Sequence, residues 1–576
     1  MFKYREIGEI LAEESLVESV LRTRGLSRAK VNALLNAQKE DMEDWQHLDN
    51  IKEGAKMLIR HIRQGNLIGL LVDCDNDGIA SGAEMYNYLK EYNPNIEIKV
   101  FLHKAKQHGL SYDVFDTIAK SGIKLLLVPD AGTNDIEEQK KLVNLGIDIL
   151  NIDHHNYADE WEKVNCVITV NPQGSQNYQN KSISGSGVVY KFLQCMDEML
   201  GINNADNYLD LAGMGCVADV MSGTEIDTRF LMNCCVDQTK IKNPFLKYLI
   251  IKKIGSGDLN LTSMAWSIVP SINSVMRLGT QVEKESVFNA FINLEGNEEV
   301  LEQGYKKANA CKSRQDRLKK NALISCTEKI EEQKLYEYPV IVLDVTNLFD
   351  DDGLNGVIAN GLSETYNRPV IVIGGENEVN RGSCRNVNES MCGNFRRWCK
   401  DTGLFDLCEG HDNSFGVEIK VDNYIKIMEK AKEDFNGTVE TDKTFIVEKV
   451  FNFSDLTKKE VLAIGELKDL WVTNIKEPTF LIKNVRINSS KIERCGSKNN
   501  VMRFVVGDFT FMKFFLSNAL FEKVTLKNEV AFGSVNLRMD VLCKFKKNEF
   551  NEKVSPQLEV IDIYSEKDEV SLDDIF

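Results

Sequence analysis

The 576-residue chain contains no apolar run approaching the ~20 residues that a membrane-spanning helix requires. Its first residues, MFKYREIGEI, carry charge where a signal peptide has its apolar segment, so the sequence predicts a cytoplasmic protein without membrane association. Its 14 cysteines show no repeated spacing, which fits reduced thiols better than a disulfide framework. A basic excess is also missing: the net charge of −17 argues on its face against a nucleic-acid partner. That total misleads where carboxylates gather around cations, because the loaded site is locally positive, and basic groups can still cluster on one face. One such cluster is Lys306, Lys307, Lys312, Arg314, Arg317, Lys319 and Lys320, with Asp316 as its single acid. It reads either as a solvated helix face or as a stripe along a phosphate backbone. The hydrophobic content of 43% is ordinary for a globular chain, and the length implies several domains.

Residues 1–50 read as short helices. From there LIGLLVD (67–73), IEIKVFL (96–102), KLLLVPD (124–130), DILNID (148–153) and CVITV (166–170) are short β-rich runs, with helical stretches between several of them. That alternation predicts an α/β domain, 51–235, with a mostly parallel sheet. Residues 236–335 read as a helical connector. A second α/β domain, 336–435, opens with YPVIVLD and RPVIVIGG. Strand-rich residues 436–565 suggest a small β-barrel, and the acidic 566–576 a tail.

The acidic residues fall at strand ends. Asp73 ends the first run and is followed by Asp75 and Asp77; Asp130 ends KLLLVPD; Asp153 ends DILNID and precedes His154 and His155. Ligands of open parallel sheets bind beyond the carboxyl ends of the strands, so three distant segments should meet in one crevice. Any single Asp there can be a helix cap or turn residue. Gathered carboxylates repel one another unless a cation neutralises them, and carboxylate plus imidazole donors suit Mn²⁺ or Mg²⁺. Cys384, Cys392, Cys399 and Cys408 with His411 invite a zinc site, but they lack the close Cys pair typical of structural zinc.

These strings resemble, in order, the motifs of the DHH phosphoesterase superfamily: VDCDNDG (72–78), VPDAG (128–132), DHH (153–155) and GCVADVM (215–221), the last contributing Asp219. Further strings are similar to its RecJ branch. They are TVNPQ (169–173), SGSGVVYKFL (184–193) and VPSINSVMRLG (269–279), the last holding Asn273 and Arg277. GLNGVIANGLSETYNRPVIVI (353–373) and GSCRNV (382–387) resemble its DHHA1 domain, and PTFLIKNVRI (478–487) with NEFNEKVSPQLEVIDI (548–563) its C-terminal OB-type barrel.

The resemblance implies a single-stranded-DNA exonuclease acting 5′ to 3′ in replication, recombination or repair, with two divalent cations, Mn²⁺ or else Mg²⁺. It implies metal ligands at Asp73, Asp75, Asp130, His154 and Asp219, catalytic roles for His154, His155 and Asp153, and a 5′-phosphate or DNA contact set of Lys104, Asn273, Arg277, Ser383, Arg385 and His411. Three departures stand out: Leu71 replaces a usual histidine, Lys104 a usual arginine, and CEGHDNSFG (408–416) a glycine-rich string. Competing readings are a DHH phosphodiesterase for short oligonucleotides or cyclic dinucleotides, and a non-catalytic replication scaffold. The end of the tail, Leu572, Asp573, Asp574, Ile575 and Phe576, mixes acids with apolar anchors, as expected of a peptide that docks on a single-strand-binding protein or a sliding clamp. Alternatively, it occupies the enzyme's own DNA channel.

Overall fold

A computed structural model describes the chain except residues 1, 9–13, 105–106, 159, 256, 350–353, 387–391, 436–443, 473, 497–498, 527–533, 551–552 and 569–576. It divides into two compact units, one of residues 43–220 and 231–443, the other of residues 1–42, 221–230 and 444–576. No helix among the described residues is long and apolar enough to cross a membrane.

Among the described residues the first unit holds two sheets. In the first, all five strands are parallel, in the spatial order Ile98–Leu102, Ile68–Val72, Leu125–Pro129, Asp148–Ile152, Val167–Val170. IGLLV and LLLVP are buried at every position, as parallel strands covered on both faces must be. Alternate side chains supply the two faces. Leu71, Leu126, Val128 and Ile149 pack with Val114 and Ile118 of the helix Tyr112–Ala119 and Leu142 of Ile136–Asn144. On the other face Gly54, in the helix Ile51–Arg63, lies against Leu150, Val170 and Phe192. The chain order therefore reverses direction between the strands ending at Val72 and Pro129, and the ligand crevice of such a sheet opens at that switch point.

The helices Gly185–Leu200, Leu209–Ala218, Val269–Leu278 and Gln281–Phe291 follow, then the 35-residue helix Glu298–Glu332. Part of the basic cluster on that last helix is neutralised: Lys306 pairs with Glu302, Lys312 with Asp316, and Arg314 with Glu283 at 3.0 Å. The second sheet runs Leu407–His411, Ser414–Lys420, Val379–Arg385, Val370–Gly374, Ile341–Asp344, and only its last two neighbours are parallel.

The other unit is built on a seven-stranded sheet from Lys449–Asn452 to Glu493–Cys495, with register shifts at Ile482/Val485 and Leu542/Cys543 that bend and coil it. Among the described residues no ladder joins its two edge strands. Phe480, Phe504, Phe509 and Phe511 are buried; Phe480 stacks on Phe545 and Phe504 on Phe511. Leu16, Val20 and Leu34 of the N-terminal helices share that core.

Candidate metal centre

The loop after Ile68–Val72 turns directly into the helix Asn76–Tyr92. Asp75 is that helix's N-cap, accepting from Gly78 N at 3.0 Å, and so fills the bland role open to any such aspartate. Asp77 is fully buried and accepts from Gly185 N at 2.7 Å and Ser186 N at 3.1 Å, anchoring the start of Gly185–Leu200. Asp130 N donates to Ile152 O at 2.8 Å and Asp153 N to Val170 O at 3.0 Å, so both continue the ladder one residue past their strands. Asp130 then turns left-handed, at φ 64°, a strained backbone for a residue with a β-carbon.

Three sets of side-chain donors lie within 4.8 Å of one another: Asp73, Asp75 and Asp130; Asp77, His154 and Asp219; and Asp130, Asp153, His154 and His155. His154 Nε2 is 3.3 Å from Asp130 Oδ1 and 3.5 Å from Asp219 Oδ2. Those same two oxygens are buried without a hydrogen-bond partner. Buried acceptors are rarely left unsatisfied, and carboxylate oxygens beside an imidazole are hard-cation donors, so the residues present fit a divalent metal. The Cys384, Cys392, Cys399 and Cys408 thiols join no such set among the described residues, and the His411 side chain lies outside them.

The electrostatics follow from this crowding. Burial, then the charges of Asp77 and Asp75, raise both Asp130 and Asp219 well above the usual carboxylate range. Burial and Asp73 likewise raise Asp75. Burial would also raise Asp153, but His155 and the other donors around it outweigh that and hold it well below. Asp153 Oδ1 accepts from His154 N and lies 2.7 Å from His155 Nδ1, and Oδ2 accepts from Thr133 N. Burial lowers His155, but Asp153 more than reverses this and pushes it up to about 10.

Two histidines enter the site that sequence reasoning passed over. His108 Nδ1 is 2.6 Å from Asp73 Oδ2, and Gly109 N donates to Asp73 Oδ1 at 2.9 Å. His103 Nε2, fully buried and lacking a hydrogen-bond partner, sits 3.8 Å from Asp73 Oδ1, while its Nδ1 is fixed by Asp113 at 2.9 Å. Burial would raise Asp73, but His108 and His103 outweigh it and lower it. Leu71, by contrast, is buried in its strand. The signal in FLHKAKQHG is slight: His103 directly follows a strand end, but nothing in the string returns His108 to the same edge of the sheet.

The remaining candidates form a second group. Asn273 Oδ1 accepts from Asn76 N at 2.9 Å, tying the helix Val269–Leu278 to the carboxylate loop. Arg385 is pushed down to about 10 by burial and then by the neighbouring Arg277 charge, and Arg277 Nε is buried without a hydrogen-bond partner. A β-carbon on Gly356 would lie 2.7 Å from Arg385 Nη2 and 3.6 Å from Ser383 Oγ, which places the first turn of the helix Asn355–Tyr366 over this pair. Lys104 is exposed, and its backbone N–H donates to Asp113.

A parallel sheet with aspartates and a His pair at its switch point is the arrangement of a DHH-type phosphoesterase. The DHH family, N-terminal domain, matches residues 68–216, and the RecJ OB domain matches residues 421–562. The chain is 31% identical, over 97% of its length and 98% of the relative's, to a protein described as an SPbeta prophage-derived single-strand DNA-specific exonuclease, YorK, of Bacillus subtilis. It is 24% identical to the single-stranded-DNA-specific exonuclease RecJ of Bacillus subtilis, over 97% of this chain and 69% of that one. The crystal structure of RecJ from Thermus thermophilus in complex with Mn²⁺ shares the fold, with a TM-score of 0.72 at 17% identity, over 98% of this chain and 80% of that one. The chain belongs to the RecJ/YorK family of single-strand DNA-specific exonucleases.

Proposed function

We propose that this protein is an exonuclease that hydrolyses single-stranded DNA from its 5′ end, in replication, recombination or repair, using a pair of divalent cations, Mn²⁺ in preference to Mg²⁺. The observation that carries the reading is the pair of buried, unpartnered oxygens, Asp130 Oδ1 and Asp219 Oδ2, flanking His154 Nε2 in a chain of this family.

Asp73, Asp75, Asp130, His154 and Asp219 hold the cations. When bound, the cations supply Lewis-acid stabilisation of charge on the scissile phosphate and lower the proton affinity of the attacking water. His155, held protonated by Asp153, donates to a phosphate oxygen and opposes the negative charge that builds there. Asp153 fixes the imidazole and the backbone turn beneath it. Arg277, Ser383 and Arg385 receive the terminal 5′-phosphate, since two crowded guanidiniums favour an anion between them. Asn273 and Lys104 line the strand's path, and His411, whose side chain lies outside the described residues, is a further DNA contact on the resemblance alone.

Residues 51–235 serve as the catalytic domain, 236–335 as the connector, 336–435 as the DHHA1 domain and 436–565 as the strand-holding barrel, flanked by segments 1–50 and 566–576. The tail, which falls almost wholly outside the described residues, docks a single-strand-binding protein or a clamp.

The deciding experiment offers the protein, with Mn²⁺, single-stranded DNA labelled at either end, duplex DNA, RNA, a short oligonucleotide and a cyclic dinucleotide. Early release of 5′ label as mononucleotide from single strands is expected. Turnover of only the short oligonucleotide or cyclic dinucleotide would replace this reading with the small-substrate phosphodiesterase.

A further inference from the structure

The helix that carries Asn273 and Arg277 is preceded without a break by a π turn, Met264–Ile268, in which Val269 N donates to Met264 O five residues back. Such turns are uncommon and concentrate at functional sites, because the extra residue re-aims the side chains around it. Here the side chain presented to solvent is Trp266, 79% exposed. Single exposed apolar residues are common, so exposure alone decides nothing and the place of the ring in the fold must carry the argument.

The position of Trp266 makes the observation more than a lone exposed ring. Met264, Ile268, Val269, Ile272, Val275 and Met276 are buried. Trp266, Pro270, Asn273 and Arg277 remain at least partly exposed, at steps of four, three and four residues, and so form one stripe along the open face. The stripe begins at the proposed phosphate pocket with Arg277, passes the carboxylate loop where Asn273 meets Asn76, and ends at Trp266. Seven residues of helix separate Asn273 from Trp266, ~10 Å, the span of about three stacked nucleotides at ~3.4 Å each.

The turn is held in place by working parts of the same unit. It packs against the helix Leu209–Ala218, whose C-terminus delivers Asp219, and against Pro244–Lys253, which adds the exposed cations Lys247 and Lys252. An exposed indole on the helix that carries Asn273 and Arg277, with lysines on the neighbouring helix, has the chemistry of a single-strand groove: cations follow the backbone and an aromatic face receives a base. In the other unit Phe480, Phe504, Phe509 and Phe511 are spent on their own core.

Building on the proposed function, we infer that Trp266 is a base-stacking platform that seats a nucleotide of the single strand a few residues away from the scissile bond. Stacking is indifferent to sequence because every base has a π face, which suits an enzyme that must move along any strand.

The test is steady-state hydrolysis of single strands by Trp266→Ala and Trp266→Phe, combined with strands carrying one abasic position scanned through about the first six nucleotides from either end. Loss of one stacked base corresponds to roughly a 10-fold loss of affinity. Trp266→Ala should therefore raise KM by about that factor, and Trp266→Phe should restore most of it, since a smaller ring still stacks. At one or two positions an abasic strand should cost the wild type about the same factor and cost Trp266→Ala nothing further. Additive losses at every position, or a Trp266→Ala variant with wild-type KM beside an active wild type, would overturn the inference. If the wild type hydrolyses no single strand at all, the functional reading falls instead, and the same abasic scan read by equilibrium binding still decides the stacking.

Discussion

Gly185 presses on Asp130: a β-carbon at position 185 would lie 2.5 Å from Asp130 Cβ and 2.7 Å from its Cα. Alanine at the first turn of a helix is otherwise favourable, so nothing in helix propensity would oppose the substitution. Gly185→Ala should therefore displace the Asp130 carboxylate without weakening Gly185–Leu200 itself. Activity is expected to fall at least 100-fold, about 2.7 kcal/mol of transition-state stabilisation, with the Mn²⁺ dependence shifted to higher concentration. Wild-type Mn²⁺ affinity in this variant, measured by calorimetry, would show that Asp130 does not hold the cation.

The raised carboxyls give a second test. In the metal-free chain at acid pH, Asp130 and Asp219 keep their protons and the buried cluster carries little charge. As pH rises through their raised values the fold must accommodate that charge, so the metal-free chain loses stability with pH. Cations remove this cost, and they bind best when no proton has to be displaced. The rise in Tm on adding Mn²⁺ should therefore grow as pH rises above the ordinary carboxylate range, the stabilisation approaching the ~2.7 kcal/mol expected at a hundredfold excess over Kd. Asp130→Asn, whose amide residue tolerates the left-handed backbone at this position, should lose most of the shift. A shift that is flat or shrinks with pH would sink the assignment.

How far the site could be read in advance depended on where each residue lies relative to a strand. The five parallel strands were legible because buried apolar runs such as LLLVP alternate with helical stretches, and the strand-end rule then gathered Asp73, Asp130 and Asp153 without further information. His103 and His108 were not legible: they sit in an irregular loop, whose conformation no periodicity encodes, and a lone histidine carries little signal. Only the fold shows that the loop returns both imidazoles to Asp73. Gly356 was opaque for a similar reason, since its role lies in a contact with Arg385 from a different segment. The prediction that follows is that His103→Asn weakens Mn²⁺ binding, read as a smaller Mn²⁺-induced rise in Tm. An unchanged rise would make His103 a packing residue fixed by Asp113.

Arg385 and Gly356 should be linked in end recognition. Arg385→Ala is expected to lower the preference for a 5′-phosphate over a 5′-hydroxyl by about 10-fold or more, the worth of one charge-assisted hydrogen bond at ~1.5–3 kcal/mol. Gly356→Ala should produce a smaller loss in the same direction, because the added methyl displaces the Arg385 guanidinium from its place. Competition between strands differing only in the 5′ group measures both. A preference untouched by either change would remove this pocket from end recognition.

The last prediction concerns the proton on His155. Its imidazole is pushed up to about 10 by the Asp153 carboxylate 2.7 Å away, so it stays protonated across neutral pH. In the proposed function that charge faces the phosphate. Asp153→Asn keeps the shape, and its amide oxygen can still accept from Thr133 N or from His154 N, but the compensating charge is gone. His155 should then titrate nearer its unperturbed value of ~6.5. A group with a raised folded-state value keeps its contribution until pH passes that value, so the wild type should lose nothing from His155 between about pH 6 and about pH 8. In Asp153→Asn the contribution should drain away across this same window. The expected result is a kcat/KM for the variant that, divided by that of the wild type, falls as pH rises, with the loss mainly in kcat. His155→Ala provides the control: its ratio to wild type should be low and nearly flat with pH. If the Asp153→Asn ratio is also flat, Asp153 serves only to shape the turn through its bonds to Thr133 and His154, and the charge on His155 plays no part in the reaction.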